Sequence, residues 1–222
     1  MCMRFARESK LSLIEKAFDI NKVLTKIEQS YNVAPTHRVV SVVNEGGSNN
    51  LVDFKWGLIP SWSKDDKFAT KLCNARSETI AEKPSFRDAF RKRRCLVVAT
   101  GYYEWFTQGK LKTPMLFTMK SREPFGLAGI WESWISPENE KIETCSIITT
   151  EANELAKPVH DRMPVIMPGE LINDWLHPEN QNVSELTELL NPYPSDEMEK
   201  YEVSRIVNSP KNNTPECVRP VN

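Results

Sequence analysis

Residues 94–106 read Arg94-Cys95-Leu96-Val97-Val98-Ala99-Thr100-Gly101-Tyr102-Tyr103-Glu104-Trp105-Phe106. The first six residues of this stretch are mostly apolar and partly β-branched, which is typical of a buried strand. After the glycine, aromatic side chains surround a single carboxylate, Glu104. If Glu104 is buried, desolvation raises its pKa and prepares it as a general acid or base. If it alternates outward on a strand, it is simply solvated, and this segment leaves both interpretations open.

Similar patterns extend in both directions from this stretch. Further strands are predicted at residues 38–44, 51–57, 114–119, 125–132, 145–150 and 201–207. Helices are predicted at residues 9–20, 151–156, 168–176 and 183–190. Because no repeat, low-complexity block or Gly/Ser linker divides the chain, we predict a single α+β domain over residues 1–222, built on a curved sheet.

Composition excludes several classes of protein. The 222 residues are 40% apolar, which is enough for a sizeable core, and no apolar run approaches the roughly 20 residues of a membrane span. The five cysteines are scattered without a C-x-x-C pair, which argues against a disulfide framework or a cysteine zinc site and favours a reducing compartment. We expect a cytoplasmic protein, or a nuclear one in a eukaryote. The net charge of -1 means that any binding of nucleic acid must come from a local basic patch.

The start of the chain offers unusual chemistry. It reads Met1-Cys2-Met3-Arg4-Phe5, and removal of Met1 would leave a thiol and a free α-amine on adjacent carbons of Cys2. Such an amine condenses with an aldehyde to an imine, and the thiol then adds to the imine carbon and closes a thiazolidine ring. The same residue also suits acyl transfer by an N-terminal nucleophile. A third interpretation is that Cys2 is a small buried apolar residue.

His160 is a candidate for proton transfer. It lies between Pro158 and Pro164, next to Asp161, and histidine is the side chain best suited to exchange protons near neutral pH. A lone histidine is more often structural. Because the other two histidines offer no metal-ligand spacing, we predict no metal and no cofactor.

Other polar and aromatic residues suggest contacts with nucleic acid. Asn74 and Arg76 share a face if their segment is extended, and together they could grip a phosphate, although Arg76 could instead pair with Glu78 or Glu82. A basic run at residues 87–94 is either a phosphate-tracking surface or a solvated helix face. Trp62 lies in a proline-containing loop, where it could stack on an exposed base or pack in the core.

Taken together and in order, these motifs resemble the SRAP family, the SOS-response-associated peptidase proteins. The segments that carry the resemblance are Cys2-Met3-Arg4-Phe5, Tyr31-Asn32-Val33-Ala34-Pro35-Thr36, Trp56-Gly57-Leu58-Ile59-Pro60, Asn74-Ala75-Arg76-Ser77-Glu78-Thr79, Arg94-Cys95-Leu96-Val97, Gly101-Tyr102-Tyr103-Glu104-Trp105, His160-Asp161-Arg162-Met163-Pro164-Val165 and Val207-Asn208-Ser209-Pro210-Lys211. The resemblance runs nearly end to end and implies a barrel-like mixed β core flanked by short helices.

The resemblance also implies a reaction. Family members shield abasic sites in single-stranded DNA, and the α-amine of Cys2 would attack the ring-opened aldehyde before its thiol closes a thiazolidine crosslink. Glu104 would move protons, His160 would assist sugar ring opening, and Asn32 would hold the sugar and the cysteine in register. Lyase chemistry and autoproteolytic (thiol peptidase) removal of Met1 are the associated activities.

DNA contacts follow from the same resemblance. Arg4, Asn74 and Arg76 match residues that contact the DNA in its groove, Trp62 matches an aromatic that packs on bases beside the lesion, and Phe86 is a further candidate for such packing. The expected partner is single-stranded DNA containing abasic sites, without a membrane. A monomer is sufficient for one lesion, and a bacterial member would associate with the nucleoid after damage.

This chain departs from the family pattern at three positions. Met3 replaces the usual glycine beside the nucleophile, Ser63 stands where some relatives carry a second tryptophan, and Thr100 replaces an acidic residue. Two other functions stay open from the residues. One is an N-terminal-nucleophile cysteine amidohydrolase or peptidase without a DNA role, and the other is a non-catalytic DNA-binding module in which Cys2 is incidental.

Overall fold

A computed structural model describes residues 2–221 of the protein. In chain order the strands are β1 (Phe5–Arg7), β2 (Ile20–Val23), β3 (Ser30–Val33), β4 (Arg38–Glu45), β5 (Ser48–Trp56), β6 (Asn74–Arg76), β7 (Arg94–Ala99), β8 (Gly101–Gln108), β9 (Leu111–Met119), β10 (Phe125–Ile135), β11 (Lys141–Glu151), β12 (Arg162–Pro164), β13 (Ile166–Met167) and β14 (Met198–Glu202). The helices are α1 (Leu11–Phe18), α2 (Arg87–Lys92), α3 (Ile172–Leu176) and α4 (Val183–Glu188). Met1, whose removal the aminothiol chemistry requires, lies outside the described residues.

The centre of the fold is a closed ring of five strands. Strands β11, β10, β7, β4 and β5 pair in that order, each antiparallel to the next. The ring closes because β5 also pairs with β11 in parallel, with Cys145 opposite Trp56. Closure leaves no free edge within the ring. The predicted α+β fold with a curved, barrel-like mixed sheet is therefore confirmed.

A second, antiparallel sheet packs beside the ring and carries the start of the chain. Its strand order is β14-β9-β8-β1-β3. Strand β7 ends at Ala99 in the ring and β8 begins at Gly101 in the second sheet, so residues 94–108 link the two sheets. At this corner a Cβ on Gly101 would lie 2.8 Å from Cδ1 of Leu116. The glycine therefore allows β8 to approach β9 closely.

Strand β7 is buried on both faces. Leu96 and Val98 join one apolar cluster, which includes residues of α1 and α3, whereas Val97 and Ala99 join another. Successive strand side chains point to opposite faces, so two buried faces require a continuous apolar run. The second cluster also contains Cys2, so the candidate nucleophile is itself part of the core.

The helices are short and mostly peripheral. The longest, α1, has eight residues, and within residues 2–221 no helix is both long and apolar enough to cross a bilayer. The basic run splits between solvent and interior. Arg87 and Arg91 are exposed on α2, but Arg94 is buried, donates to the carbonyl oxygen of Trp175 at 2.7 Å and helps to cap α3. The C-terminal end of the basic run therefore stabilises the fold.

Two predicted elements were wrong. Residues 151–156 do not form a helix: Glu151 ends β11 and a turn begins at Glu154, where the side chain of Asn153 accepts the backbone N–H of Ala156 at 2.9 Å and donates to the carbonyl of Tyr193 at 2.7 Å. The return strand ends at Glu202 instead of extending to residue 207. There the hydroxyl of Ser204 accepts the N–H of Ile206 at 3.3 Å and begins a 3-10 turn.

Gly57 controls the path of the loop that follows β5. Its φ is +131°, and a Cβ at this position would lie 2.8 Å from the carbonyl oxygen of Ala69. We expect Gly57→Ala to lower the free energy of unfolding by about 3 kcal/mol, since it adds backbone strain to a steric clash. Gly46→Ala is the matched control, because Gly46 also has a positive φ of +60° but open space around its Cβ. Urea denaturation would contradict this account if the two variants lost equal stability.

Candidate active site

Backbone pairing fixes the position of Cys2. Strand β1 aligns Phe5 with Tyr102 of β8, and the N–H of Tyr103 donates to the carbonyl of Arg4 at 2.9 Å. On the other side, Nδ2 of Asn74 donates to the carbonyl of Cys2 at 2.9 Å. Cys2 is therefore held between β8 and β6, and it is fully buried.

The Cys2 thiol is protonated at neutral pH in this environment. Burial raises the pKa of Cys2 above its usual range, and the nearby carboxylate of Glu104 raises it further. The thiol therefore needs a base in order to act as a nucleophile. Glu104 is the candidate for this base, since its carboxylate interacts electrostatically with the thiol.

Glu104 is buried, which decides between the buried and the solvated positions that the sequence left open. It is 5% exposed, and burial raises its pKa to about 7, with a further contribution from the charge of Asp161. A group with that pKa is present in both protonation states at neutral pH, which suits proton transfer in either direction. Glu104 and His160 line one cavity of about 490 Å³, together with Trp105 and Asn208.

His160 is neutral near pH 7 in this site. Burial lowers its pKa, and its Nδ1 accepts the backbone N–H of Arg162 at 3.0 Å. The proton of the neutral ring therefore lies on Nε2. Asp161 approaches Nδ1 at 2.9 Å, but it can accept a hydrogen bond there only when the ring is protonated, and its side chain is 87% exposed.

A bidentate ion pair supports the His160 loop. Nη2 of Arg162 donates to Oε2 of Glu78 at 3.0 Å and to the carbonyl of Thr149 at 2.6 Å. This contact connects the loop to the turn that follows β6. Because Glu78 pairs with Arg162, it does not neutralise Arg76, and Arg76 is exposed.

Asn74 and Arg76 border a second cavity, on the β6 side of Cys2. It measures about 460 Å³ and includes Met3, Lys71 and Lys83 in its lining. The amide group of Asn74 contacts the thioether of Met3 at 3.2 Å as well as the Cys2 carbonyl. The methionine that replaces the usual glycine thus lines this second cavity.

Asn32 and Arg4 fasten the C-terminal segment to the site. Nδ2 of Asn32 lies 3.1, 2.9 and 2.7 Å from the carbonyl oxygens of Val207, Ser209 and Asn212, so it is shared among three acceptors. Nη1 of Arg4 donates to Oδ1 of Asn32 at 2.7 Å and to the Val207 carbonyl at 2.9 Å. Both predicted site residues therefore lie close to Cys2 along the sheet, but their polar groups hold residues 207–212 in place.

The two aromatic candidates differ in exposure. Trp62 is 64% exposed and lines a third cavity of about 500 Å³, so its ring is available for stacking. Phe86 borders the cavity of Asn74 and Arg76 but is 4% exposed, because most of the ring packs in the core. Trp62 therefore lies on the surface of a loop, whereas Phe86 is a core residue with little of its ring exposed to the cavity.

Within residues 2–221 no group of three or more His, Cys, Asp or Glu side chains could hold a metal ion. The five cysteines are all free and buried, and they form no disulfide.

Comparison with known proteins identifies the family. A family model described as SOS response associated peptidase (SRAP) matches residues 1–210. The chain belongs to the SRAP family. The SRAP protein YoqW of Bacillus subtilis (strain 168), called an abasic site processing protein, is 46% identical over 221 residues, covering 98% of this chain and 99% of the relative.

Further SRAP relatives extend the comparison. The abasic site processing protein HMCES of Gallus gallus is 35% identical over 195 residues, which cover 77% of this chain and 57% of that protein. A crystal structure of a Bacteroides thetaiotaomicron protein has a TM-score of 0.88 and 29% identity, with 100% of both chains covered. The fold of this chain is thus shared with an experimentally determined structure.

Two residues that line the Glu104 cavity were given no role by the sequence analysis. The side chain of Asn208 accepts the indole N–H of Trp105 at 2.8 Å and both line the Glu104 cavity, but neither was assigned a role. The segment Val207-Asn208-Ser209-Pro210-Lys211 is a recognisable motif. Because it lies far from Glu104 in the sequence, its contact with the same cavity could not be predicted. The ion pair between Arg162 and Glu78 could not be predicted from hydrophobic periodicity, because the two residues lie on elements that are far apart in the sequence.

The raised pKa of Glu104 predicts a pH dependence of stability. Its pKa is about 7 in the folded protein and 4.5 as an ordinary glutamate, so the folded state binds the proton more tightly. The resulting stabilisation is fully present below pH 4.5 and is lost as pH rises through 7. We expect Glu104→Gln to remove up to about 3 kcal/mol of this dependence. Unfolding free energies of both proteins at several pH values test this, and parallel pH profiles would contradict it.

Asn32 is expected to be essential for the packing of residues 207–212. Asn32→Ala removes its hydrogen bonds to the three carbonyls and the acceptor of Arg4, and we expect a loss of about 3 kcal/mol in unfolding free energy. Limited proteolysis should show earlier cleavage in this segment. The exposed Asn191, which makes one hydrogen bond to Glu188, provides the control variant Asn191→Ala. Equal protease resistance in both variants would contradict the role of Asn32 in holding residues 207–212 in place.

Proposed function

We propose that this protein processes abasic sites in single-stranded DNA by forming a covalent crosslink through Cys2 after Met1 is removed. The observation that carries the proposal is that Cys2 is buried within electrostatic reach of a second buried group, the Glu104 carboxylate, whose pKa burial raises to about 7. An imine-forming reaction near neutral pH needs such a group to deliver and remove protons. The shared name of the SRAP relatives, abasic site processing protein, supports the same substrate.

The first step uses the α-amine that Met1 removal exposes. The amine attacks the C1′ aldehyde of the open deoxyribose, and a carbon–nitrogen bond forms. Loss of water from the resulting carbinolamine then gives the imine, and the leaving hydroxyl must take up a proton. Protonated Glu104 supplies this proton, because its pKa of about 7 keeps a substantial fraction protonated at neutral pH.

The second step closes the ring. The Cys2 sulfur bonds to the carbon of the protonated imine, the C=N electron pair returns to the nitrogen, and the thiol proton is taken up by Glu104, which the first step left ionised. The net reaction joins one aldehyde and one aminothiol to form a thiazolidine and water. Because burial keeps the thiol protonated, this step depends on the carboxylate as a base.

His160 assists before these steps. The closed deoxyribose must lose the proton of its C1′ hydroxyl and gain one on the ring oxygen in order to expose the aldehyde. A neutral imidazole with its proton on Nε2 can donate a hydrogen bond to the ring oxygen of the sugar, and Glu104 in the same cavity can take up the hydroxyl proton and return one to the ring oxygen. Asn32 contributes indirectly, through the C-terminal segment that it clamps.

DNA is held by a local basic surface. Arg76, Lys71 and Lys83 line the cavity next to Cys2 and provide three positive charges, although the whole chain has a net charge of -1. Phosphate contacts from this surface position the strand without reading its sequence. Asn74 holds the Cys2 carbonyl, and Trp62 offers a face for a base. Binding to intact DNA is therefore expected to be weak and sensitive to salt.

Several finer assignments belong to the same proposal. An imine at C1′ permits β-elimination of the 3′ phosphate, which is a lyase reaction. Removal of Met1 by the protein itself is the corresponding thiol peptidase activity. One lesion engages one cysteine, so a monomer is sufficient, and the expected location is the cytoplasm, on the nucleoid after damage.

A crosslinking assay tests the proposal. Protein without Met1, verified by intact mass, is mixed with single-stranded DNA that carries one abasic site, and the products are resolved on a denaturing gel. We expect a heat-stable covalent band, no band with Cys2→Ala, and a band that forms roughly 100-fold more slowly with Glu104→Gln.

Three controls define the outcome. Intact DNA tests the need for the lesion, and protein that retains Met1 tests the need for the free amine. Ammonia release from glutamine tests the amidohydrolase alternative. Absence of a band with processed wild-type protein would overturn the proposal, and a band of normal intensity with Cys2→Ala would exclude Cys2 as the nucleophile.

A further inference from the structure

Tyr102 carries a polar group that the fold leaves unpaired. The residue is fully buried, and within residues 2–221 its hydroxyl has no hydrogen-bond partner. Buried hydroxyl groups are ordinarily paired, because burial without a partner destabilises the folded state. The next residue, Tyr103, is equally buried, and its hydroxyl donates to the carbonyl of Tyr31 at 2.7 Å. The unpaired hydroxyl of Tyr102 therefore calls for an explanation other than folding stability.

Packing holds the Tyr102 ring in place. Strand β8 aligns Tyr102 with Phe5 of β1 on one side and with Phe117 of β9 on the other. The rings of Tyr102 and Phe117 stack, with their centroids 4.8 Å apart and 6° between their planes. In a close-packed core such a ring cannot readily turn its hydroxyl toward solvent. An acceptor that pairs with this hydroxyl must therefore come to it.

Two reacting groups of the site lie near this side chain. Tyr102 and Glu104 are two residues apart on β8, so their side chains share a face of the strand. Cys2 belongs to the same apolar cluster as Tyr102. Burial raises the pKa of the Tyr102 phenol well above its usual range, and the charges of Cys2 and Glu104 raise it further. The phenol therefore keeps its proton near neutral pH and is available as a hydrogen-bond donor.

The Cys2 sulfur changes its hydrogen-bonding needs when it reacts. In the folded protein the neutral thiol directs its hydrogen toward the carbonyl of Arg4, with 3.9 Å between sulfur and oxygen. An ionising sulfur can no longer donate, and it becomes an acceptor that attracts donors. The backbone of Arg4 supplies one donor, since its hydrogen bond lowers the pKa of Cys2 against the larger opposing effect of burial. A second donor would stabilise the charge further, and the hydroxyl of Tyr102 is unused.

We propose that the Tyr102 hydroxyl donates a hydrogen bond to the Cys2 sulfur as the thiazolidine ring closes. This assignment rests on the proposed function. The thiol proton passes to Glu104 and the sulfur–carbon bond forms, whereas Tyr102 keeps its own proton throughout. Because the phenol ring is held by stacking, a rotation of the short Cys2 side chain away from the Arg4 carbonyl makes the contact. The hydroxyl is unpaired in the resting protein because its acceptor is the charge that develops on the sulfur only during the reaction.

Borohydride trapping separates the two steps of the reaction. Protein without Met1 is mixed with single-stranded DNA that carries one abasic site, and timed samples are quenched with sodium borohydride or with acidic denaturant alone. Borohydride reduces the imine to a stable amine, so the first quench counts imine and thiazolidine together, whereas the second counts thiazolidine alone.

The variant Tyr102→Phe removes only the hydroxyl. We expect it to form the borohydride-trapped product at the wild-type rate, because the imine needs the α-amine and not the sulfur. The product that survives without borohydride should appear about tenfold more slowly, which is the change expected for the loss of one hydrogen bond to a charged group.

Tyr103→Phe is the matched control, since it also removes one hydroxyl from a fully buried tyrosine of β8 and keeps the backbone N–H that pairs with Arg4. Its loss of the hydrogen bond to Tyr31 should lower the urea midpoint of unfolding, with ring closure at the wild-type rate. Tyr102→Phe should unfold at the same urea concentration as the wild type or at a higher one, because it removes an unpaired polar group. Stability and rate should therefore respond oppositely in the two variants.

Two results with Tyr102→Phe would overturn this inference alone. Ring closure at the wild-type rate would show that the hydroxyl does not act on the sulfur, and a lower urea midpoint beside it would assign the hydroxyl to folding. Equal slowing of both products would indicate that the hydroxyl acts through Glu104 or on the site as a whole. Absence of both products with the wild-type protein would overturn the proposed function, and this inference with it.

Discussion

Backbone hydrogen bonds between β1 and β8 hold the start of the chain against Glu104, and the rest of the site depends on this pairing. Strand β1 has three residues, but its register aligns Phe5 with Tyr102 and leaves Cys2 beside the carboxylate. Strand ladders define position to within a fraction of a residue spacing, because a slip of one residue would turn every side chain to the other face. A chain terminus, ordinarily a mobile part of a protein, thereby becomes a positioned reactive group.

Burial gives this site its chemical character. Desolvation raises the pKa of both Cys2 and Glu104 and lowers that of His160, so all three groups favour their neutral forms. A low local dielectric also strengthens the electrostatic interactions between these groups, and fewer water molecules have to reorganise when a proton moves. The cost is an ionisable carboxylate inside the protein, which favours folding less as it ionises. Function and stability therefore make opposing demands on Glu104.

The walls of the site come from distant parts of the chain. Asn32 and Arg4 bind residues 207–212, which approach from the C-terminal end, and Arg162 joins the His160 loop to Glu78. Closing such long loops is entropically unfavourable, and charge-assisted or multiple hydrogen bonds offset that cost. The site has two separate cavities, one lined by Glu104 and His160 and one lined by Asn74 and Arg76. Under the proposed function, the first cavity would hold the reacting sugar and the second would bind the phosphates of the DNA.

Sequence alone determined the strand-rich α+β class, because period-two patterns and the continuous apolar run of β7 reflect local burial. The ordered motifs around Cys2, Glu104 and His160 also indicated the family and the candidate chemistry. Tertiary structure decided what those residues touch. It buried Glu104, turned Asn32 and Arg4 toward the C-terminal segment, placed Phe86 in the core and exposed Phe68 beside Trp62. It also replaced the predicted helix at residues 151–156 with turns held by Asn153. The physical reason is that periodicity records which face of an element is buried, whereas hydrogen-bond partners, pKa shifts and cavities depend on residues far apart in the chain.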